Sequence, residues 1–237
     1  MNNIKSFLKK SPPFYRLLQS LYYGFRKIIE SYIFGTRIQE WIWRGKKREW
    51  TQEYFGMSHP HNKFLSEKIA SYAPFDSILE IGCASGPNLI LLAKRFPNAK
   101  IRGIDINPTA VEFGNRQCEK EGISNVKLSV GRADNLEHFP DKSFDIAFTG
   151  ATLMYIGPDK IKKVASEMQR IAQKAIILAE YHSEKENALG VYNKGNWLRN
   201  YKKLFQSFSS QIKTTKIFSE IRVGDWGELG YIIEVIL

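Results

Sequence analysis

At 237 residues and 43% hydrophobic content the chain has the length of one α/β domain with an appendage, and enough apolar side chains for a sizeable core. Two cysteines, Cys83 and Cys118, make no disulfide framework or zinc-ligand cluster, nothing in the sequence calls for a metal, and the usage is that of a cytoplasmic protein. The formal charge of +11 is uneven, because residues 1–50 hold 11 Lys or Arg against three acids, a net +8.

That first segment is also rich in aromatics, among them Trp41, Trp43 and Trp50. It has no apolar run long enough to span a bilayer, and basic residues interrupt anything resembling a signal-peptide core. Tyr15, Leu18, Tyr22, Phe25 and Ile29 recur every three or four residues after Pro12-Pro13, which predicts an amphipathic helix. Its apolar face either packs on the following domain as a lid or rests on an anionic membrane surface, where Lys and Arg flanking aromatics favour binding. Such a protein is peripheral at the inner face of the membrane. Nucleic acid is not expected as a partner, since no recognition motif for DNA or RNA accompanies the basic charge. Residues 1–53 are therefore a helical extension, and residues 54–237 a separate domain.

Ser77 to Ile81 reads as a buried strand that ends in a glycine turn, Gly82-Cys83-Ala84-Ser85-Gly86, and opens the apolar helix Asn88 to Arg95. The two glycines permit positive φ, and the helix N–H groups point back at the loop. A second apolar strand, beginning at Ala99, ends in an acid, Asp105, some 20 residues after the glycines, where a carboxylate accepts from ribose hydroxyls. Asn107 and Pro108 then start a helix over Thr109 to Glu121. Asn125 to Val130 and Ser143 to Gly150 are the third and fourth strands, with Gly131 to Leu136 the loop after the third. Four strands alternating with helical stretches predict a parallel sheet with right-handed crossovers. A dinucleotide site is the rival reading, but the turn is G-x-A-x-G rather than G-x-G-x-x-G and the Ala133-Asp134 pair has no role in that fingerprint; the absence of a G-x-x-x-x-G-K-[ST] lysine likewise argues against a nucleoside triphosphatase.

Together LEIGCASG, GIDINPTAVEFG, GRADNLEHFPDKSFDIAFT and the tyrosine-bearing tip after the fourth strand resemble motifs I to IV of the class I S-adenosylmethionine-dependent methyltransferases. The resemblance runs from about Tyr54 to the C-terminus. It implies a Rossmann-like, seven-stranded, mostly parallel sheet of order 3-2-1-4-5-7-6 with the last strand antiparallel. It also implies that Glu80 and the turn Gly82, Cys83, Ala84 and Gly86, with Asn88, pack around the methionine part of S-adenosylmethionine. By the same resemblance Asp105 holds the ribose, Ile106 lies on the adenine, Ala133 and Asp134 read the adenine edge, and Thr149 and Tyr155 sit near the sulfonium. The family usually has Gly where this chain has Ala84, a change that is tolerated if the residue keeps φ negative. Because these motifs all follow Tyr54, removal of residues 1–48 is expected to leave cofactor binding intact.

The remaining chain is expected to build the acceptor side. Pro158 to Ile171 reads as a helix and Ala175 to His182 as a fifth strand, with Glu180, Tyr181 and His182 at its tip. His182 is the candidate general base, with Tyr155 and Tyr181 beside it. Asn196 to Phe205 reads as a short helix whose Trp197, Arg199 and Tyr201 orient the acceptor. Ile212 to Phe218 and Gly230 to Ile236 are the last strands. AEYHSEKENALGVYNKGNWLRNYKKLF and EYFGMSHPHNKFL are similar to methylases associated with pseudaminic acid, a surface sugar. The expected reaction transfers a methyl to an O or N nucleophile of a small-molecule, glycan-linked or lipid-linked acceptor and yields S-adenosylhomocysteine. The rival is a non-catalytic binding protein that uses its basic segment for interaction.

Overall fold

The computed structural model describes residues 35–56, 60–193, 195–217 and 225–237. The amphipathic pattern of residues 15–32 lies outside them. Three helices come first: α1 (Gly35–Arg44), α2 (Arg48–Gly56) and α3 (Pro60–Ala70). The alternating part follows as β1 (Ser77–Ile81), α4 (Pro87–Arg95), β2 (Lys100–Asp105), α5 (Pro108–Lys120), β3 (Val126–Val130) and β4 (Phe144–Gly150). After a 3₁₀ turn at Leu153–Tyr155 come α6 (Ile161–Ile171), β5 (Ala172–Tyr181), β6 (Val191–Asn193), β7 (Asn196–Leu198), α7 (Tyr201–Phe205), β8 (Gln211–Lys216), α8 (Trp226–Leu229) and β9 (Gly230–Ile236).

The main sheet has seven strands in the order β3-β2-β1-β4-β5-β9-β8. Strands β1 to β5 are parallel, whereas β9 runs antiparallel to both β5 and β8. With the separate β6–β7 hairpin set aside, this is the expected 3-2-1-4-5-7-6 order. Alternate side chains feed two cores, as the two-residue period of a strand requires. Ile78 faces Leu65, Leu89 and Val111 from α3, α4 and α5. Leu79 and Ile81 face Ile161, Val164 and Met168 from α6 and Leu204 and Phe205 from α7. Burial on both faces explains why all seven residues of β4 are buried.

Helix starts follow local chemistry. Gly86 takes φ 76° immediately before Pro87 at the first position of α4. Asn107 accepts from the Ala110 amide at the start of α5, again with Pro at the first position. The region Asn196 to Phe205 differs from the single helix expected. Gly195, at φ 95°, reverses the chain so that Trp197 pairs with Tyr192 across the hairpin, and Asn200 then caps α7 by accepting from the Lys203 amide.

Candidate active site

The sheet order reverses direction between β1 and β4, and a ligand crevice is expected outside the carboxyl ends of strands at such a point. There the structure has a cavity of about 410 Å³. Gly82 takes φ 76°, and a Cβ at this position would fall 2.2 Å from Thr152 Oγ1, so only glycine fits. The Gly82 and Cys83 amides both donate to the Ile104 carbonyl, at 2.8 and 3.0 Å, which pins the turn to β2. Asp105 completes the arrangement: its Oδ2 accepts from the Ala84 amide and its Oδ1 from the Asn107 amide, each at 2.8 Å. Burial raises the Asp105 pKa, and these N–H groups oppose the rise. Each carboxylate oxygen keeps a lone pair for a ligand. Ala84 sits at φ 48°, in the left-handed region, contrary to the negative φ expected of it. Donation to Asp105 holds it there.

Eight of the residues singled out in the sequence line this cavity: Gly82, Ala84, Asp105, Ile106, Ala133, Asp134, Tyr155 and Tyr181. Glu80, Cys83, Gly86, Asn88 and Thr149 stand behind the lining. Glu80 Oε1 accepts from Asn88 Nδ2 at 2.7 Å, while its Oε2 is buried with no hydrogen-bond partner among the described residues. Desolvation pushes its pKa to about 8, with Asn88 opposing and the Asp105 charge adding to the rise. Burial likewise pushes the Cys83 thiol up.

Thr149 has a different partner from the one expected. Its hydroxyl donates to Glu180 Oε1, which also accepts from the Thr152 and Leu153 amides, while Oε2 accepts from the Met154 amide. On the other side of the same 3₁₀ turn, the buried Arg199 guanidinium donates to the Leu153 and Ile156 carbonyls at 2.7 and 2.6 Å. A carboxylate on the amides and a guanidinium on the carbonyls thus fix the turn that carries Tyr155. Arg199, Trp197 and Tyr201 are core residues and do not line the cavity.

His182 is also absent from the lining. It is 2% exposed, its Nδ1 accepts from the Tyr201 amide at 3.2 Å, and its Nε2 faces Glu184 Oε1 at 3.3 Å. Burial lowers its pKa, against the pull of Glu184. The general-base expectation is corrected accordingly, because the imidazole is committed to the backbone at the start of α7. Tyr155, by contrast, does face the cavity, and desolvation pushes its pKa up to about 12. It is a hydrogen-bond donor at neutral pH.

The wall that the motifs did not specify comes from α1 and α2, which contribute Thr36, Gln39, Glu40, Trp43, Trp50 and Tyr54. Thr36 Oγ1 donates to Asp159 and accepts from the Gly157 amide, and Asn107 Nδ2 donates to the Trp43 and Lys46 carbonyls. Glu40 takes a bidentate pair from Arg132 at 3.0 and 2.8 Å and an ion pair from Lys160 at 2.5 Å. Asp134, expected at an adenine edge, is held by the same Arg132 and by Lys160, which keep its pKa low against burial. Residues 35–48 therefore cover the cavity, and their removal would strip part of its lining, contrary to the expectation that they are dispensable. The sequence signal was the density of tryptophan in this segment.

These residues fit S-adenosylmethionine. The cavity volume is that of a small-ligand site, a strand-end carboxylate lies at its rim, and apolar Ile106 and Ala133 offer faces to a flat base. A methyltransferase domain family matches residues 78–175. Protein-L-isoaspartate O-methyltransferase of Pyrococcus horikoshii is 32% identical over 128 residues, covering 53% of this chain and 54% of that protein, so the chain spans about half the length of this curated relative. The PH0226 protein of Pyrococcus horikoshii superimposes with TM-score 0.59 at 15% identity, covering 77% of this chain and 92% of the other. Geranyl diphosphate C-methyltransferase of Streptomyces coelicolor, solved with Mg²⁺, geranyl diphosphate and S-adenosyl-L-homocysteine, does so with TM-score 0.56 at 14% identity over 75% of this chain and 76% of that one. Residues 78–175 thus match a methyltransferase domain, and the sheet around them has the fold of solved methyltransferases.

Proposed function

We propose that the protein transfers a methyl group from S-adenosylmethionine to an O or N nucleophile of a small organic acceptor, free or carried on a glycan or lipid, and releases S-adenosylhomocysteine. The observation that carries this reading is one continuous cavity running from Asp105, at the strand-end position for ribose, to the aromatic wall of Trp43, Tyr155 and Tyr181. When bound, the cofactor supplies an electron-poor methyl on a sulfonium, whose C–S electron pair returns to sulfur on transfer.

The chain's own residues account for the rest. Asp105 accepts from ribose hydroxyls, and Ile106 and Ala133 pack on the adenine, with Asp134 at its edge. Glu80 and the Gly82 turn, through Gly86 and Asn88, set the floor under the methionine part. The Glu180–Arg199 bracket holds Tyr155 in place as a donor to the acceptor, while α1 and α2 exclude bulk water. No imidazole lines the cavity among the described residues, so the rate is ascribed to alignment, which can supply about 7 to 11 kcal/mol. The acceptor's proton passes to solvent.

The outer face of α1 supports contact with an anionic membrane surface. Ile38, Trp41 and Ile42 share one exposed face, Trp41 at 79% exposure, beside exposed Arg37 and Arg44. No described helix is long and apolar enough to cross a membrane. Binding to anionic vesicles at low salt is expected, and its absence removes this part of the proposal.

The test of catalysis is conversion of S-adenosylmethionine to S-adenosylhomocysteine by the purified protein in the presence of fractionated cell extract, with labelled methyl followed into product. Turnover in one fraction is expected. Cofactor binding with no transfer to any fraction would favour the non-catalytic reading.

A further inference from the structure

Helix α1 carries its polarity inside out. Thr36, Gln39, Glu40 and Trp43 recur at the spacing of one helix face and line the cavity, whereas Ile38, Trp41 and Ile42 form the opposite, exposed face. A helix lying on a protein in water has the reverse arrangement, with its apolar stripe inward. The seating of α1 is correspondingly polar, and Thr36 is its one buried residue. Thr36 Oγ1 bonds to Asp159 and to the Gly157 amide, Gln39 Nε2 donates to the Gly195 carbonyl at 3.1 Å, and Glu40 pairs with Arg132 and Lys160. Ties of this kind exchange for water at little net cost, so α1 can lift from the rim without baring a core. Trp43 is the one apolar side chain of the inner stripe. Asn107 holds the Trp43 and Lys46 carbonyls, which keeps the C-terminal end of the helix in place.

The outer face selects its partner by charge. Exposed Arg37, Arg44, Lys47 and Arg48 flank the apolar stripe, and Glu49 is the one exposed acid of residues 35–50. A second copy of the chain would set like charges against one another. An anionic bilayer instead receives the apolar stripe, with Trp41 at its interface, and attracts the cations around it. The inner face narrows the acceptor. Trp43 packs on Tyr155 with ring centroids 4.7 Å apart and on Trp50 at 5.6 Å, and Trp50 stacks on Tyr54 at 5.1 Å. The rim cations Arg132 and Lys160 are both paired, with Glu40 and Asp134, so neither is free to receive a phosphate head group. We propose that α1 is an interfacial lid: docking of its outer face on an anionic bilayer loosens its ties to the rim, and the cavity takes an uncharged lipophilic acceptor from that bilayer. A bilayer binds the lifted helix better than the seated one, because the body of the protein limits how far the seated stripe can enter. An equilibrium shifts only through such a difference.

This inference rests on the methyl-transfer reading and on the membrane contact of α1, and the experiment separates them. The release rate of labelled S-adenosylhomocysteine from the full chain is measured in four conditions: without vesicles, with phosphatidylcholine vesicles, with vesicles of equal parts phosphatidylcholine and phosphatidylglycerol, and with the latter at high salt. Release should be about fivefold faster on the anionic vesicles at low salt and unchanged in the other three conditions. Trp41→Ser, outside the cavity, should remove the acceleration and keep the vesicle-free rate. With S-adenosylmethionine labelled in its methyl group, label should enter a chloroform-soluble product when the anionic vesicles carry membrane lipids extracted from cells. Unchanged release on vesicles that bind the protein, acceleration that survives in Trp41→Ser, or label confined to water-soluble products overturns the lid and acceptor assignment alone. A dimer in solution that Trp41→Ser dissolves would give the outer face to a second copy and overturn it too. Failure of the wild-type chain to bind S-adenosylhomocysteine in solution overturns the methyl-transfer reading and this inference with it.

Discussion

Glu80 offers the sharpest energetic prediction, because a carboxyl at the end of a buried strand has an ionisation state that folding must change. Its ordinary pKa is 4.5, and burial raises it to about 8 in the folded chain. At pH below 4.5 the group is protonated in both states and carries no penalty. As the pH rises toward 8, the unfolded chain releases the proton while the folded chain retains it, so stability falls by about 1.4 kcal/mol per pH unit. Between pH 5 and pH 8 the loss from this one group is about 3 to 4 kcal/mol. Glu80→Gln keeps an acceptor for Asn88 Nδ2 and cannot ionise, so the variant should be close to wild type at pH 5 and more stable at pH 8. Urea unfolding of the two ligand-free proteins at both pH values reads the double difference, which cancels the contribution of Glu180 and other groups. Parallel pH dependence of wild type and variant would refute the reasoning.

Other consequences follow from single contacts. Ala84→Gly removes a left-handed strain of about 1 to 2 kcal/mol and increases the freedom of the unfolded chain, for a net gain of about 0.5 to 1 kcal/mol in thermal unfolding. A destabilised variant would contradict the strain argument. Glu40→Ala cuts the ties of α1 to Arg132 and Lys160, and should speed S-adenosylhomocysteine release about tenfold in a stopped-flow displacement experiment if α1 gates the cavity. An unchanged rate would make α1 a fixed wall. His182→Ala should cost about 1 to 2 kcal/mol of stability through the lost acceptor for the Tyr201 amide, yet leave kcat within about twofold. A hundredfold loss of turnover in the folded variant would restore the general-base role.

The sheet was legible because its signals are local. Buried parallel strands read as apolar runs, Asn107-Pro108 and Gly86-Pro87 mark helix starts, and the β9 limits of Gly230 and Ile236 are those expected from the sequence. The floor of the site was legible for the same reason, since Gly82, Asp105 and Ile106 lie at strand ends in a fixed spacing. What the sequence hid depends on long-range contacts. Whether His182 points into the crevice or back toward α7 is decided by the Tyr201 amide, 19 residues away. Glu180 likewise looks like a reactive acid at a strand tip until four donors from the preceding strand end and turn are seen to occupy it. The left-handed conformation of Ala84 is imposed by Asp105 across the turn, which no propensity reports. Glu40 shows the same limit more strongly, because its partners Arg132 and Lys160 lie 92 and 120 residues downstream.

The central claim, that the cavity at the ends of β1, β2 and β4 holds the methyl donor, is tested most directly by calorimetric titration of the full chain with S-adenosylhomocysteine, beside Asp105→Ala. The account predicts one molecule bound per chain and an affinity reduced about 30- to 150-fold in the variant, the equivalent of about 2 to 3 kcal/mol for lost charge-assisted hydrogen bonds, with circular dichroism showing the fold retained. No binding by the folded wild-type chain, or equal affinity in the folded variant, would contradict it.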